Sequence, residues 1–333
     1  EGFASETDQE ARQCLLKGRY RAAALTARSL LALSRLEEAS LPLAEAQAEA
    51  QAMGAAPRDL ALLEAAQGEL ALSLGEYPTA QALYNHALAL WGKAFPIHFP
   101  MHPQTGRFLS GLAQAEYAMG QPGDARFHLM AALAIFKVRL GQGHPDTALA
   151  LSDLGAVSLA QGDPAGARDS FASAAASLEQ GLGSEHPDLA VALNNLAVAY
   201  KRLGQYEQAR QAYERSLAIR INTLGDAHPS TAQSRANLAL ALARLGRPGK
   251  ALELLHTALA QQRNALGNEH PAVAVSASNL AVLMKRMGRA SEAVSLLEEV
   301  LAIRTTRLGP DHPDTGRALE NLALALEALS MQE

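Results

Sequence analysis

Six histidines, each followed by proline, are the residues of this chain that first suggest metal or acid–base chemistry: His102, His144, His186, His228, His270 and His312. Successive members are 42 residues apart. Joint ligation of one ion needs nitrogen–metal distances near 2 Å, which groups a whole repeat apart cannot supply, so the spacing assigns these histidines to junctions of a repeating structure. A tighter pair, His98 and His102 in IHFPMHP, has Pro100 between its members, and proline opposes the helix that would align two imidazoles. The sequence contains no phosphate loop, HExxH, nucleophile elbow or cysteine pair. The expectation is a chain without catalytic residues, metal site or cofactor.

A second set of residues has binding rather than bond-making chemistry. Asn195, Asn237, Asn279 and Asn321 also recur at intervals of 42. Arg202, Arg244 and Arg286 follow the first three of them by seven residues, with Lys201 and Lys285 beside two of the arginines and Asn194 beside the first asparagine. Seven residues is nearly two turns, so each arginine shares a helix face with its asparagine about 10 Å along the axis. An amide offers both a donor and an acceptor, and can therefore clasp a peptide backbone of any sequence. A guanidinium forms charge-assisted bonds with carboxylates. The same residues also have purely structural uses: cations match the helix dipole at a C-terminus, and an asparagine can bond to the neighbouring repeat.

The elements that must position these groups are helices. Alanine and leucine dominate, aromatic residues are 5%, and such a composition favours helix over strand. Pro187 fits a first helical position and Asp188 puts negative charge in the first turn. Leu189, Leu193, Leu196 and Tyr200 then follow helical spacing. Gly204 permits a turn, and a second helix runs from about Tyr206 to Leu224, with Ala209 small where the two helices meet, Tyr213 and Leu217 filling space further on, and Gly225 ending it. A glycine with an alanine five residues later marks this turn in every period: Gly120/Ala125, Gly162/Ala167, Gly204/Ala209, Gly246/Ala251 and Gly288/Ala293, with earlier copies at Gly75/Ala80 and Gly18/Ala23. Seven helical hairpins are expected. The spacing divides the chain into a divergent hairpin plus an extra helical segment at 1–57, a divergent repeat at 58–102, five regular repeats over 103–312, and a capping helix at 313–333.

These residues resemble tetratricopeptide repeats, in the 42-residue form of kinesin light chains, with Leu196, Ala197, Tyr200, Gly204, Tyr206, Ala209 and Tyr213 on the packing positions. The resemblance implies an all-α, right-handed superhelical solenoid of antiparallel helical hairpins whose first helices line a concave surface. It also makes Cys14 a buried packing residue. Two features depart from the kinesin light chain pattern: no heptad coiled coil precedes the repeats, and the asparagine expected one position earlier occurs only as Asn194, with Ala236, Ser278 and Glu320 elsewhere. The Lys-x-x-x-Asn and Lys-x-x-x-Arg arrangement of a chaperone-tail clamp is not found on the inner faces either.

The ladders, placed on a concave surface, predict a groove for an extended, acidic segment of a protein or peptide partner, contributed by Asn194, Asn195, Lys201, Arg202, Asn237, Arg244, Asn279, Lys285, Arg286 and Asn321. The first repeats lack it, carrying Ala66, Gly111 and Asp153 at the asparagine position. Two alternatives accompany this reading, a self-associating homo-oligomeric scaffold and the peptide-sensing part of a larger regulator. A net charge of −5 argues against nucleic acid or an anionic membrane as the main partner. No apolar run reaches the length of a membrane span, and a single cysteine suits the cytoplasm. The chain starts at Glu1 rather than Met, so a targeting segment could have preceded it.

Overall fold

The computed structural model describes residues 36–52 and 54–331, together with 22 and 26. Cys14 and the Gly18/Ala23 pair lie outside the described residues. Among the described residues, from Leu36 onward, fourteen α-helices and one 3-10 turn follow one another, and no strand occurs. The helices are α1 (Leu36–Ala52), α2 (Pro57–Leu74), α3 (Tyr77–Ala94), α4 (Pro103–Ala118), α5 (Pro122–Arg139), α6 (Pro145–Ala160), α7 (Pro164–Leu182), α8 (Pro187–Arg202), α9 (Tyr206–Leu224), α10 (Pro229–Arg244), α11 (Pro248–Leu266), α12 (Pro271–Arg286), α13 (Ala290–Leu308) and α14 (Pro313–Ser330). The turn, Phe99–Met101, precedes α4. Contacts divide the chain into two compact units, Glu1–Asp163 and Pro164–Glu333.

The His-Pro ladder has a direct physical role. Each of the six histidines is the N-cap of the helix that its proline begins, and its Nδ1 accepts a hydrogen bond from the backbone N–H two residues on, at 3.0 Å for His102, 3.2 Å for His186 and 3.1 Å for the other four. A helix start leaves N–H groups without partners. The imidazole satisfies one of them, while proline removes another by having no N–H. An accepting Nδ1 requires the neutral ring with its proton on Nε2. At His102, burial first, and then Arg139, Arg107 and His98, hold the ring below the ordinary histidine range, which favours that form. Threonine fastens the same junction from the other side: Thr147, Thr231 and Thr315 donate to the carbonyls of Gly141, Gly225 and Gly309 at 2.8–2.9 Å.

Within a hairpin the turn is equally regular. Gly204 has φ +73°, a left-handed conformation that costs glycine little, and the N–H of Gln205 closes the helix end on the carbonyl of Tyr200 at 2.9 Å. Arg247 to Leu242 and Arg289 to Met284 repeat that bond, the pattern of a Schellman cap.

Small residues let paired helices approach. Ala125, Ala167, Ala209, Ala251 and Ala293 are all completely buried, as are Ala197, Ala239 and Ala281 on the first helices. Tyr213, Leu255 and Leu297 fill the corresponding interior position on α9, α11 and α13. In the second unit α8–α9, α10–α11 and α12–α13 pack as hairpins, and α10 also touches α12, as α12 touches α14. In the first unit α2–α3 and α4–α5 pair, with α2 touching α4 and α4 touching α6. The first helices of successive hairpins thus form one continuous row in each unit.

Candidate functional site

The residues of both ladders lie on the row of first helices in the second unit. Asn195, Asn237, Asn279 and Asn321 are half-buried, as are Lys201 and Lys285, whereas Arg202, Arg244 and Arg286 are exposed. The four asparagines do not have equivalent surroundings. Asn237 donates through Nδ2 to Oδ1 of Asn194 at 2.9 Å and accepts from Gln233 at 3.3 Å. Asn194 in turn donates to Asn195 at 3.5 Å. This amide chain fastens α8 to α10, so Asn194 and Asn237 spend hydrogen-bonding capacity on repeat packing. It occurs once because Ala236, Ser278 and Glu320 replace Asn194 in the later repeats. Among the described residues, the side chains of Asn279 and Asn321 hydrogen-bond to no other residue.

The cations are more uniform. Among the described residues, none of Lys201, Arg202, Arg244, Lys285 and Arg286 forms an ion pair. The guanidinium of Arg244 lies 5.4 Å from the centre of the Tyr206 ring, a cation–π contact that orients it without neutralising it. The Lys201 ammonium is held below the usual lysine range, first by burial and then by neighbouring Arg202. Arginines on the second helices contrast with these. Arg215 pairs with Glu179 at 2.6 Å, Arg263 with Glu299 at 2.5 Å and Arg210 with Glu207 at 2.6 Å.

The structure adds apolar residues that the reading of ladders passed over. Val191 and Val275 are 49% and 42% exposed, and half-buried Val198 and Val282 share their face. They stand four residues before and three residues after Asn195 and Asn279, positions that coincide with the asparagine face of a helix. On α10 the polar Gln233 takes the first of these places and half-buried Leu240 the second. The signal was present in the sequence as valines at helical spacing, but a valine on a repeat helix reads equally well as core.

In the first unit the ladder position is occupied differently. The Tyr84 ring packs against Gly68 and Gly111; a Cβ on Gly111 would fall 2.2 Å from Tyr84 Cζ, which leaves no room for an asparagine. Asp153 accepts from Gln114 Nε2 at 3.0 Å, and burial, partly offset by that bond, pushes its carboxyl up to about 6. A cavity of about 590 Å³ opens beside Arg107, Ser110, Gly111, Gln114 and Asp146, with Arg107 paired to Asp146 at 2.8 Å. The His98/His102 pair offers no joint site at Nδ1 of His102, which caps α4.

A family model for the tetratricopeptide repeat matches residues 59–137, 104–180, 146–222, 188–255, 230–306 and 286–333. No curated protein sequence matches the chain. Among solved structures, the nearly identical TPR-like repeats of a Podosopora anserina protein assigned as a kinesin light chain are 32% identical at a TM-score of 0.55, covering 62% of this chain and 98% of that one. BtubC (BKLC) from P. vanneervenii is 23% identical at 0.52, covering 65% and 84%. The Cut9 and Hcn1 hetero-tetramer of the APC/C shares only the fold, at 18% identity and 0.59, over 93% of this chain and 46% of that one. No described helix is long and apolar enough to cross a membrane. Six consecutive repeat matches, joined to capped helical hairpins on a 42-residue period, establish that the chain belongs to the tetratricopeptide repeat family, an all-α repeat solenoid that serves as a protein–protein interaction scaffold.

Proposed function

We propose that the first helices of the second unit bind an extended, acidic segment of a partner protein, and that the chain acts through this binding rather than through catalysis. The observation that carries the reading is a set of five cations on one helix row, Lys201, Arg202, Arg244, Lys285 and Arg286, that form no ion pair among the described residues. A half-buried ammonium whose burial already opposes its charge, as at Lys201, gains from an incoming carboxylate more than an exposed one does. Val191 and Val275 add exposed apolar surface on the far side of the asparagines from the cations. Asn279 and Asn321 supply amides for the peptide backbone, each such bond contributing about 0.5–1.5 kcal/mol, while Asn195 contributes only the capacity left by Asn194.

The test is an array of acidic and charge-neutralised peptides of matched sequence, probed with the wild-type chain and with a Lys201→Gln, Arg202→Gln, Lys285→Gln, Arg286→Gln variant. These four side chains make no ion pair among the described residues, so the variant is expected to fold normally. Acidic peptides should be retained by the wild type, released by added salt, and weakened at least about tenfold by the variant, equivalent to about 1.4 kcal/mol. Equal retention of acidic and neutralised peptides, or of peptides by both proteins, would refute the proposal.

A further inference from the structure

The outer face of the second helix in a repeat should be polar, since it meets solvent, and four of the five regular repeats obey this. At one outward position they carry Asp169, Gln211, Glu253 and Ser295, and eleven residues later Gln180, Asn222, Asn264 and Thr306. The equivalent residues of α5 are Phe127 and Val138, both 70% exposed, and Met130 between them is 56% exposed. Their spacing of three and eight residues puts all three on one helix face, along about 16 Å of axis. The turn Phe99–Met101 packs against α5, and the connection containing it adds Ile97 at 85% and Met101 at 40% exposure. One repeat therefore breaks the chain's own rule, at every large outward position together.

Arg126 and Lys137 are exposed and flank this stripe on one side, eleven residues apart and so close in angle around the helix. Among the described residues, the partner of Arg126 is a neutral one, Gln161 Oε1 at 3.3 Å. A straight apolar strip of three turns with a cationic margin is complementary to a helix with an apolar face and an acidic flank. A second copy of the same face would set like charges against each other.

We infer that the outer face of α5 is a second docking surface, occupied by an acidic amphipathic helix of a partner protein. It lies in the first unit and is independent of the peptide surface in the second. The probe is a synthetic helix of about 16 residues, with leucines at the spacing of the stripe and glutamates along one flank; its control carries lysines on that flank. Fluorescence anisotropy with the full chain should give at least about tenfold tighter binding for the glutamate helix. A Phe127→Glu, Met130→Glu, Val138→Asn variant uses only residue types found at the same positions of other repeats, so its helical melt should match the wild type. It should lose at least about tenfold of that affinity. Reversing the flank with Arg126→Glu and Lys137→Glu should exchange the preference between the two helices. Failure of the wild type to prefer the glutamate helix, or undiminished binding by the triple variant, would overturn the inference. So would a wild-type dimer in sedimentation that the triple variant abolishes, which would assign the face to a second copy. Wild-type-specific capture by phosphatidylserine vesicles would overturn it in favour of a lipid surface.

Discussion

Gly111→Ala should destabilise the first unit although alanine is the better helix former. In a helix interior the change from glycine to alanine ordinarily stabilises by about 0.5–1 kcal/mol. At Gly111 the new Cβ would lie 2.2, 2.5 and 2.6 Å from Tyr84 Cζ, Cε1 and Oη. The ring is 3% exposed and in contact with Gly68 on its other side, so it can retreat only toward the cavity that it lines with Gly111. Overpacking of this kind costs about 1–3 kcal/mol, so the expected net change is a loss of about 1–2 kcal/mol. Gly316→Ala is the control, because a Cβ there meets nothing within 4 Å, and it should be neutral or stabilising by up to about 1 kcal/mol. The assay is urea unfolding followed by fluorescence of Trp91, which is the chain's one tryptophan and belongs to the same cluster as Tyr84, Phe108 and Leu112. Combining Gly111→Ala with Tyr84→Leu should recover most of the loss as a coupling energy of about 1 kcal/mol or more. If Gly111→Ala proves as stable as the wild type, or the two substitutions are simply additive, the account of why this repeat lacks an asparagine fails.

Two further outcomes follow from the same geometry. Asp153 has its carboxyl raised in the folded chain from 3.8 to about 6, so its contribution is greatest below pH 4 and is lost as pH rises through 6; Asp153→Asn should stabilise by on the order of 3 kcal/mol at pH 7.5, and thermal melts showing the same gain at pH 4 would contradict this. His228→Ala should cost about 0.5–2 kcal/mol by removing the cap of α10, with His228→Asn restoring most of it, and equal melting of the alanine and asparagine variants would remove the histidine from the capping role.

Much of this molecule could be read from residue types and their interval. The 42-residue period fixed helix starts at proline, turns at glycine and interhelical contact at alanine, because each depends on local backbone chemistry. The regular helices begin and end where that chemistry places them, as at Pro187–Arg202 and Tyr206–Leu224. The repeating histidines could be recognised as architectural from spacing alone. Their use as acceptors for a backbone N–H two residues away could not, since that depends on the rotamer of the ring over the helix end.

The tertiary structure decided which members of the ladders, among the described residues, bond to a neighbouring repeat and which do not. Asn237 and Asn279 look alike in the sequence, yet one is bonded to Asn194 across the repeat boundary and the other is not, because a single residue, asparagine at 194 and alanine at 236, determines whether a neighbour can reach. Likewise Arg202 and Arg215 are both arginines on helices, but only Arg215 has a glutamate 36 residues away at hydrogen-bonding distance. Tyr84 reaching Gly111, and Phe127 facing outward, are likewise settled by the packing of whole helices. The sequence by itself determined the repeat, its helices and its junctions, because those rest on interactions within a few residues. Which side chains keep unused polar capacity depends on residues from adjacent repeats meeting or missing one another, and that was decided only when the helices packed.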